Sequence, residues 1–174
     1  MDLVNLRLMD EAGGPELPEQ IGELEDLRRE GKLDLIGVSN VGRDVVEQAL
    51  ELVDLGEVQN AYSILDREHE PIVDLCRERA IAFVPFFPLG SAFTGGPKTL
   101  AKDQAIAQVA ARHGATPSQV ALAWLLARYE RMLLIPGTTS VDHLEENLAA
   151  ADVELDEEDL ATLEAVEQVG NPVG

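Results

Sequence analysis

Short apolar runs alternate with longer stretches of helical periodicity along the whole sequence, the pattern expected of strand-helix-strand units around a parallel sheet. The apolar runs predict strands over residues 3–8, 35–39, 58–60, 81–86 and 133–135. Between the first two, Leu17, Ile21, Leu24 and Leu27 recur at spacings of four, three and three and mark one apolar helix face, with Gly31-Lys32 as its stop. The same reading places helices over 44–53, 71–79, 102–113 and 117–127, and after the last strand over 141–150 and 157–169. Thr116-Pro117-Ser118-Gln119 has the form of a helix start: Thr116 can cap, Pro117 suits the first helical position and Gln119 can close a capping box. Asp156 opens the last helix, with acidic residues in its first turn. No Ser/Gly linker and no sequence repeat divides the chain, so a single domain over 1–174 is expected.

Length and charge narrow this picture. The 174 residues suffice for a sizeable core, but a complete (β/α)₈ barrel usually needs about 250. A formal charge of −20 would repel phosphate backbones and anionic membranes, so neither nucleic acid nor a membrane is an expected partner. The longest apolar stretch, 120–127, is too short to span a bilayer, and the Met-Asp start carries no basic segment ahead of an apolar one. A cytoplasmic location follows by default. The one cysteine, Cys76, excludes an internal disulfide and a multi-cysteine zinc site, and no metal is expected.

Functional groups in a parallel barrel gather where strands end, and the predicted strands end in unusual residues. Ser39 and Asn40 close one strand and could meet a carboxamide-like group with both donors and acceptors; as a bland alternative they cap the following helix. Gln59 adds an amide on the next strand, and Tyr62 a flat aromatic face. The strongest local signal is Ile135-Pro136-Gly137-Thr138-Thr139-Ser140 followed by a helix: a Pro-Gly turn, two hydroxyls and a helix amino terminus, which together favour an anion such as phosphate.

At this point the sequence resembles the aldo/keto reductase family. The stretches that carry the likeness are Asp2 to Arg7, Gly31-Lys32 through Gly37-Val38-Ser39-Asn40, Val58-Gln59-Asn60-Ala61-Tyr62-Ser63, Phe86-Phe87-Pro88-Leu89-Gly90, Thr116 to Leu126, and Pro136-Gly137-Thr138-Thr139-Ser140 through Glu146-Asn147. They cover nearly the whole chain in family order. The resemblance implies an α/β fold of the TIM-barrel type that binds NADP(H) at the carboxyl ends of its strands and reduces an aldehyde or ketone. It further implies that Ser39, Asn40 and Gln59 hold the nicotinamide carboxamide, that Tyr62 stacks on its ring, and that Pro88, Leu89, Gly90 and Ser91 run beside the pyrophosphate. Gly137, Thr138, Thr139, Ser140 and His143 would surround the 2′-phosphate, where only His143 can carry positive charge; Glu146 and Asn147 would contact adenine.

The catalytic tetrad of the family is Asp, Tyr, Lys and His. The likeness aligns the five predicted strands with strands four to eight, about five of eight βα units, and the Asp-Tyr-Lys set belongs to strands one to three. Arg7 stands at the family's His position, where it could donate to a carbonyl or simply pair with a carboxylate, and Phe87 stands where many members have Ser. Two readings follow. One is a reductase, active when the catalytic amino-terminal half is present, whether this chain is a natural short protein, a truncated product or a fragment. The other is a non-catalytic, subunit-like nucleotide binder. Five strands cannot close an eight-stranded barrel, so unpaired edges are expected at 3–8 and 133–135, with Val4, Val38 and Val84 facing an open groove. A homo-oligomer, or a chain supplying the missing strands, is the corresponding partner expectation.

Overall fold

Parallel pairing organises the first part of the chain. In the computed structural model, which describes residues 1–8, 14–91 and 94–169, the strands β1 (Leu3–Arg7), β2 (Leu35–Ser39), β3 (Leu55–Ala61) and β4 (Ala82–Phe86) form one sheet in the order β1-β2-β3-β4. β1 pairs with β2 and β2 with β3, both in parallel. The helices between them are α1 (Leu17–Arg29), α2 (Arg43–Leu52) and α3 (Glu70–Arg79). After β4 the described elements are helical: α4 (Pro97–Leu100), α5 (Gln104–His113), α6 (Pro117–Arg128), α7 (Val141–Ala149) with a 3-10 turn at Ala150–Asp152, and α8 (Glu157–Leu163).

The described chain divides into two compact units, one of Met1–Asn60 with His69–Val84, the other of Ala61–Glu68 with the chain from Pro85 onward. The first unit carries the sheet. Along β2, Ile36 and Val38 are fully buried and share one face at period two, while Gly37 and Ser39 share the other. Val38 and Val84 are therefore core residues, 0% and 4% exposed, and do not face the expected open groove. Gly37 sits in register between Asn5 of β1 and Glu57 of β3, and Asn5 Nδ2 donates to Glu57 Oε1 at 2.6 Å across it. A Cβ at Gly37 would collide with Asn5 Oδ1, so the missing side chain is what lets that bond form. Cys76, buried on α3, has its thiol pushed up to about 12 by burial, which makes it an inert core residue.

In the second unit the core is built on α6, whose residues 120–125 are all buried. Trp124 is its centre: Tyr62 stacks on it with ring centroids 5.8 Å apart, and the guanidinium carbons of Arg67 and Arg128 lie 4.6 and 5.3 Å from the indole centroid. Glu164 ties both arginines, reaching Arg128 at 3.2 Å and Arg67 directly.

Two expectations need correction. Residues 133–135 belong to no strand among the described residues: Leu133 and Ile135 are 53% and 48% exposed, and Pro136 has no N–H with which to extend a ladder. The last helix covers only Glu157–Leu163 of the expected 157–169. Beyond it the backbone N–H of Val169 donates to the Leu65 carbonyl and Gln168 Nε2 to the Ile64 carbonyl, bonds that replace continued helix. No helix among the described residues is long and apolar enough to cross a membrane.

Candidate functional site

In the first unit the parallel register aligns the carboxyl ends of β1, β2 and β3, so Arg7, Ser39 and Gln59 stand side by side. Arg7 Nη1 donates to Ser39 Oγ at 3.4 Å, and Ser39 is only 2% exposed. Asn40 turns the chain out of β2 with φ +57, a left-handed conformation that Asn tolerates better than most residues, and its N–H donates to the Gln59 carbonyl at 2.9 Å. Asn60 was given no role from the sequence, yet it fastens this corner. Fully buried, its Nδ2 donates to the Val41 carbonyl at 2.7 Å and its Oδ1 accepts from the Val41 N–H at 3.2 Å. An amide beside Gln59, next to the apolar Val58 and Ala61 of the strand, is the signal that marks it, since a buried amide must find partners.

In the second unit Tyr62 corrects its expected role. It is 1% exposed and stacked on Trp124, so its ring face is committed to the core and offers no platform to a ligand. Aromatic surface is supplied instead by Phe86 and Phe87, edge to face at 5.2 Å, in the wall of a cavity of about 450 Å³. Phe87 is 43% exposed and held at φ +58, a conformation that costs a residue with a Cβ about 1–2 kcal/mol. Backbone strain of this sort collects at functional sites.

Pro88, Leu89 and Gly90 continue that wall, and Ile135, Pro136 and Gly137 face them. Gly90, at φ +84, closes a turn by donating its N–H to the Phe87 carbonyl at 2.8 Å. Ser91 is 3% exposed and its Oγ accepts from the Thr94 N–H at 3.2 Å, so the hydroxyl serves the turn.

A second cavity, of about 170 Å³, is lined by Thr138, His143, Glu146 and Asn147 together with Ser118 and Pro97, neither of which was singled out from the sequence. The two cavities share Leu89, Pro97 and Gly137. A Cβ at Gly137 would meet nothing within 4 Å, so glycine there keeps open the space where they adjoin. Ser140 lines neither cavity but caps α7: its Oγ accepts from the His143 N–H at 3.4 Å, while its own N–H donates to Thr138 Oγ1 at 3.1 Å. Thr139 is exposed and lines neither. Glu146 is fixed from below, its Oε1 accepting from Thr116 Oγ1 at 2.5 Å and its carbonyl from Gln119 Nε2 at 3.1 Å.

The second unit thus offers aromatic rings, a Gly-Pro-rich wall and the amino terminus of a helix around adjoining cavities. Flat rings, a bridging anion and a terminal phosphate are the groups such features accept, and a dinucleotide carries all three. Among the described residues no group of three or more His, Cys, Asp or Glu is placed to hold a metal.

The family model for the aldo/keto reductase family matches residues 1–168. Pyridoxine 4-dehydrogenase of Escherichia coli is 41% identical over 170 residues, covering 95% of this chain and 57% of that protein. A probable aldo-keto reductase of Glycine max is 34% identical over 183 residues, covering 91% and 53%. The chain therefore spans little more than half the length of these relatives. Among solved structures, an aldo/keto reductase from Klebsiella pneumoniae in complex with NADP and acetate superposes with a TM-score of 0.82 at 28% identity, over all of this chain and 62% of that one. Another aldo-keto reductase from the same organism, in complex with NADPH, gives 0.80 at 28% identity, covering 94% and 57%. The parallel α/β architecture, the order of its motifs and the family match lead to one conclusion: this chain belongs to the aldo/keto reductase family.

Proposed function

We propose that this chain binds NADP(H) and contributes the cofactor-holding part of an aldo/keto reductase acting on a small-molecule aldehyde or ketone. In this reading the chain is a single, incomplete barrel domain corresponding to strands four to eight of the family. The observation that carries it is the pair of adjoining cavities that meet at Gly137 beside the capped start of α7. Pro88, Leu89, Gly90 and Ser91 lie along the pyrophosphate. Thr138 and the start of α7, which Ser140 caps, receive the 2′-phosphate, with His143 as its one potential cation, and Glu146 and Asn147 border adenine. In the first unit, taken by itself, Ser39, Asn40 and Gln59 offer the donors and acceptors that a carboxamide needs, the role that the family resemblance implies for them. Phe86 replaces Tyr62 as the ring-contacting aromatic. The bound nucleotide supplies a hydride.

Reduction also needs a proton donor near the carbonyl. This chain has two tyrosines, Tyr62 and Tyr129, which are 1% and 5% exposed. All three of its lysines, Lys32, Lys98 and Lys102, are exposed, so none lies buried against a phenol to tune it. That supports the second reading, a nucleotide binder without turnover on its own, for the chain taken alone. Reduction then depends on strands that bring an Asp-Tyr-Lys set, from a second chain or from the remainder of the barrel. Arg7, 3.4 Å from Ser39 Oγ, is suited to orient a carbonyl and not to protonate it.

The test is a fluorescence titration with NADPH on the wild-type chain and on Gly137→Leu. Because nothing lies within 4 Å of a Cβ there, the leucine fills the cavity junction without disturbing the fold. NADPH is expected to bind the wild type more tightly than NADH does, and the variant to lose most of that binding. Equal, weak responses from wild type and variant would refute the reading. A parallel NADPH-oxidation assay with generic aldehydes, run in reverse with pyridoxine because of the Escherichia coli relative, is expected to show negligible turnover by this chain alone.

A further inference from the structure

The capping box that starts α6 does more than start α6. Within it, Thr116 Oγ1 accepts the Gln119 N–H at 3.2 Å and Gln119 Oε1 accepts the Thr116 N–H at 2.9 Å, which satisfies two of the orphan donors at the helix start. Each side chain then has a donor left over, and both leftover donors go to one residue of another helix. The Thr116 hydroxyl donates to Glu146 Oε1 at 2.5 Å, and Gln119 Nε2 donates to the Glu146 carbonyl at 3.1 Å.

The second bond meets a specific need of α7. The Glu146 carbonyl would ordinarily accept from the N–H four residues on, at Ala150, but that N–H is turned to the Asn147 and Leu148 carbonyls as the helix tightens into its 3-10 end. Gln119 supplies the donor that the tightening removed. One residue of α7 is thus held by its side chain and its main chain together, which fixes both the rotation and the height of the helix. α7 has no fully buried residue of its own to do this. Ser118, inside the same box, lines the smaller cavity together with His143, Glu146 and Asn147 of α7.

We propose that Thr116 and Gln119 are positioning residues for nucleotide recognition: their capping box clasps Glu146 and sets α7 where His143, Glu146 and Asn147 meet the adenosine end of the cofactor. This rests on the proposal that the cavity receives that end. The other capping box among the described residues, Asp156 with Asp159, spends its spare oxygens, Asp156 Oδ2 and Asp159 Oδ1, on Arg112, while His113 meets the box's own Asp159 Oδ2, a link between α8 and α5 that lines neither cavity. Among the described residues, clasping across to a cavity wall is therefore particular to the α6 box.

The decisive variant is Gln119→Glu. A capping box accepts Glu as readily as Gln, so α6 keeps its start, but the donor to the Glu146 carbonyl becomes a carboxylate oxygen that repels it. The readouts are calorimetric titration with adenosine 2′,5′-bisphosphate and amide hydrogen exchange along α6 and α7. Expected are a dissociation constant raised about fivefold or more, faster exchange in α7 and unchanged exchange in α6. Thr116→Ser, which retains both of the hydroxyl's bonds, is expected to bind as the wild type does, whereas Thr116→Val weakens binding. A Gln119→Glu protein that binds the bisphosphate as tightly as the wild type overturns the clasp and leaves the cofactor reading standing. A folded wild type that does not bind it overturns the cofactor reading, and the clasp's proposed role with it.

Discussion

α6 and α7 are consecutive helices with good side-chain caps and opposite fates. In α6 residues 120–125 are buried without a break, so it has no polar face over that stretch, and Trp124 gathers an aromatic ring and two guanidiniums around it. In α7 the apolar positions Val141, Leu144 and Leu148 keep the three-four spacing of an amphipathic helix, yet they are 69%, 48% and 67% exposed. Amphipathic spacing states which face wants cover; it does not say that the chain itself supplies the cover. α6 is held by its core, whereas α7 is held by a cap at Ser140 and the clasp on Glu146.

Trp124→Ala is the harshest test of that contrast. Truncating the residue at the centre of the unit is expected to cost about 3–5 kcal/mol, read as a lowered urea midpoint. Far-ultraviolet circular dichroism serves as the probe, since Trp124 is the single tryptophan and its own fluorescence disappears with it. Gly37→Ala extends the comparison to the sheet, where close approach between strands is as unforgiving as a packed core. The new methyl displaces Asn5 from Glu57, for an expected loss of about 1–3 kcal/mol. A loss near zero would mean that the Asn5 and Glu57 side chains relax freely.

On the α7 side the expected effect is small. Leu148→Ala should move stability by no more than about 0.5 kcal/mol, the range of exposed positions. The homo-oligomer or strand-supplying partner expected from the sequence sharpens this: if the apolar face of α7 is what associates, Leu144→Asp with Leu148→Asp lowers the mass found by light scattering at high concentration without lowering the melting temperature. A destabilised double variant of unchanged mass would put this face in the monomer's own core.

The mildest effect belongs to Asp156, the cap of α8. The backbone N–H of Asp159 holds its carboxyl below the ordinary 3.8, helped by the Glu158 N–H and Arg112 and opposed by some desolvation. A carboxyl whose pKa falls on folding stabilises the fold above its unfolded value, and that contribution fades as pH drops through the lowered one. Asp156→Asn keeps a capping oxygen and is expected to flatten the acid limb of a melting-temperature profile below about pH 4, with little change at neutral pH.

Much of this organisation was legible in the residues. Strand 35–39 and the capping box at Thr116 appear where the pattern put them, because both depend on local chemistry: a short apolar run and a Ser/Thr-x-x-Gln start. The resemblance grouped Thr138, Thr139, Ser140, His143, Glu146 and Asn147 about one ligand; Thr138, His143, Glu146 and Asn147 line one cavity, whereas Thr139 and Ser140 lie outside it. The role of Tyr62 was not legible. A tyrosine three residues past Gln59 reads equally well as a ligand platform or a core ring, and only the presence of Trp124 beside it decides. Residues 133–135 failed for a related reason, since an apolar run becomes a strand only where a ladder partner accepts it. The bridge from Gln119 to Glu146 spans 27 positions and leaves no periodic trace.

The central claim is that this chain carries a nucleotide site without the means to turn over on its own. The most direct test follows NADPH fluorescence and absorbance together, in one titration with a saturating generic aldehyde present. Saturable binding with no loss of absorbance at the nicotinamide band is the predicted result. A folded chain that shows no saturation, or one that oxidises NADPH steadily, would contradict the account.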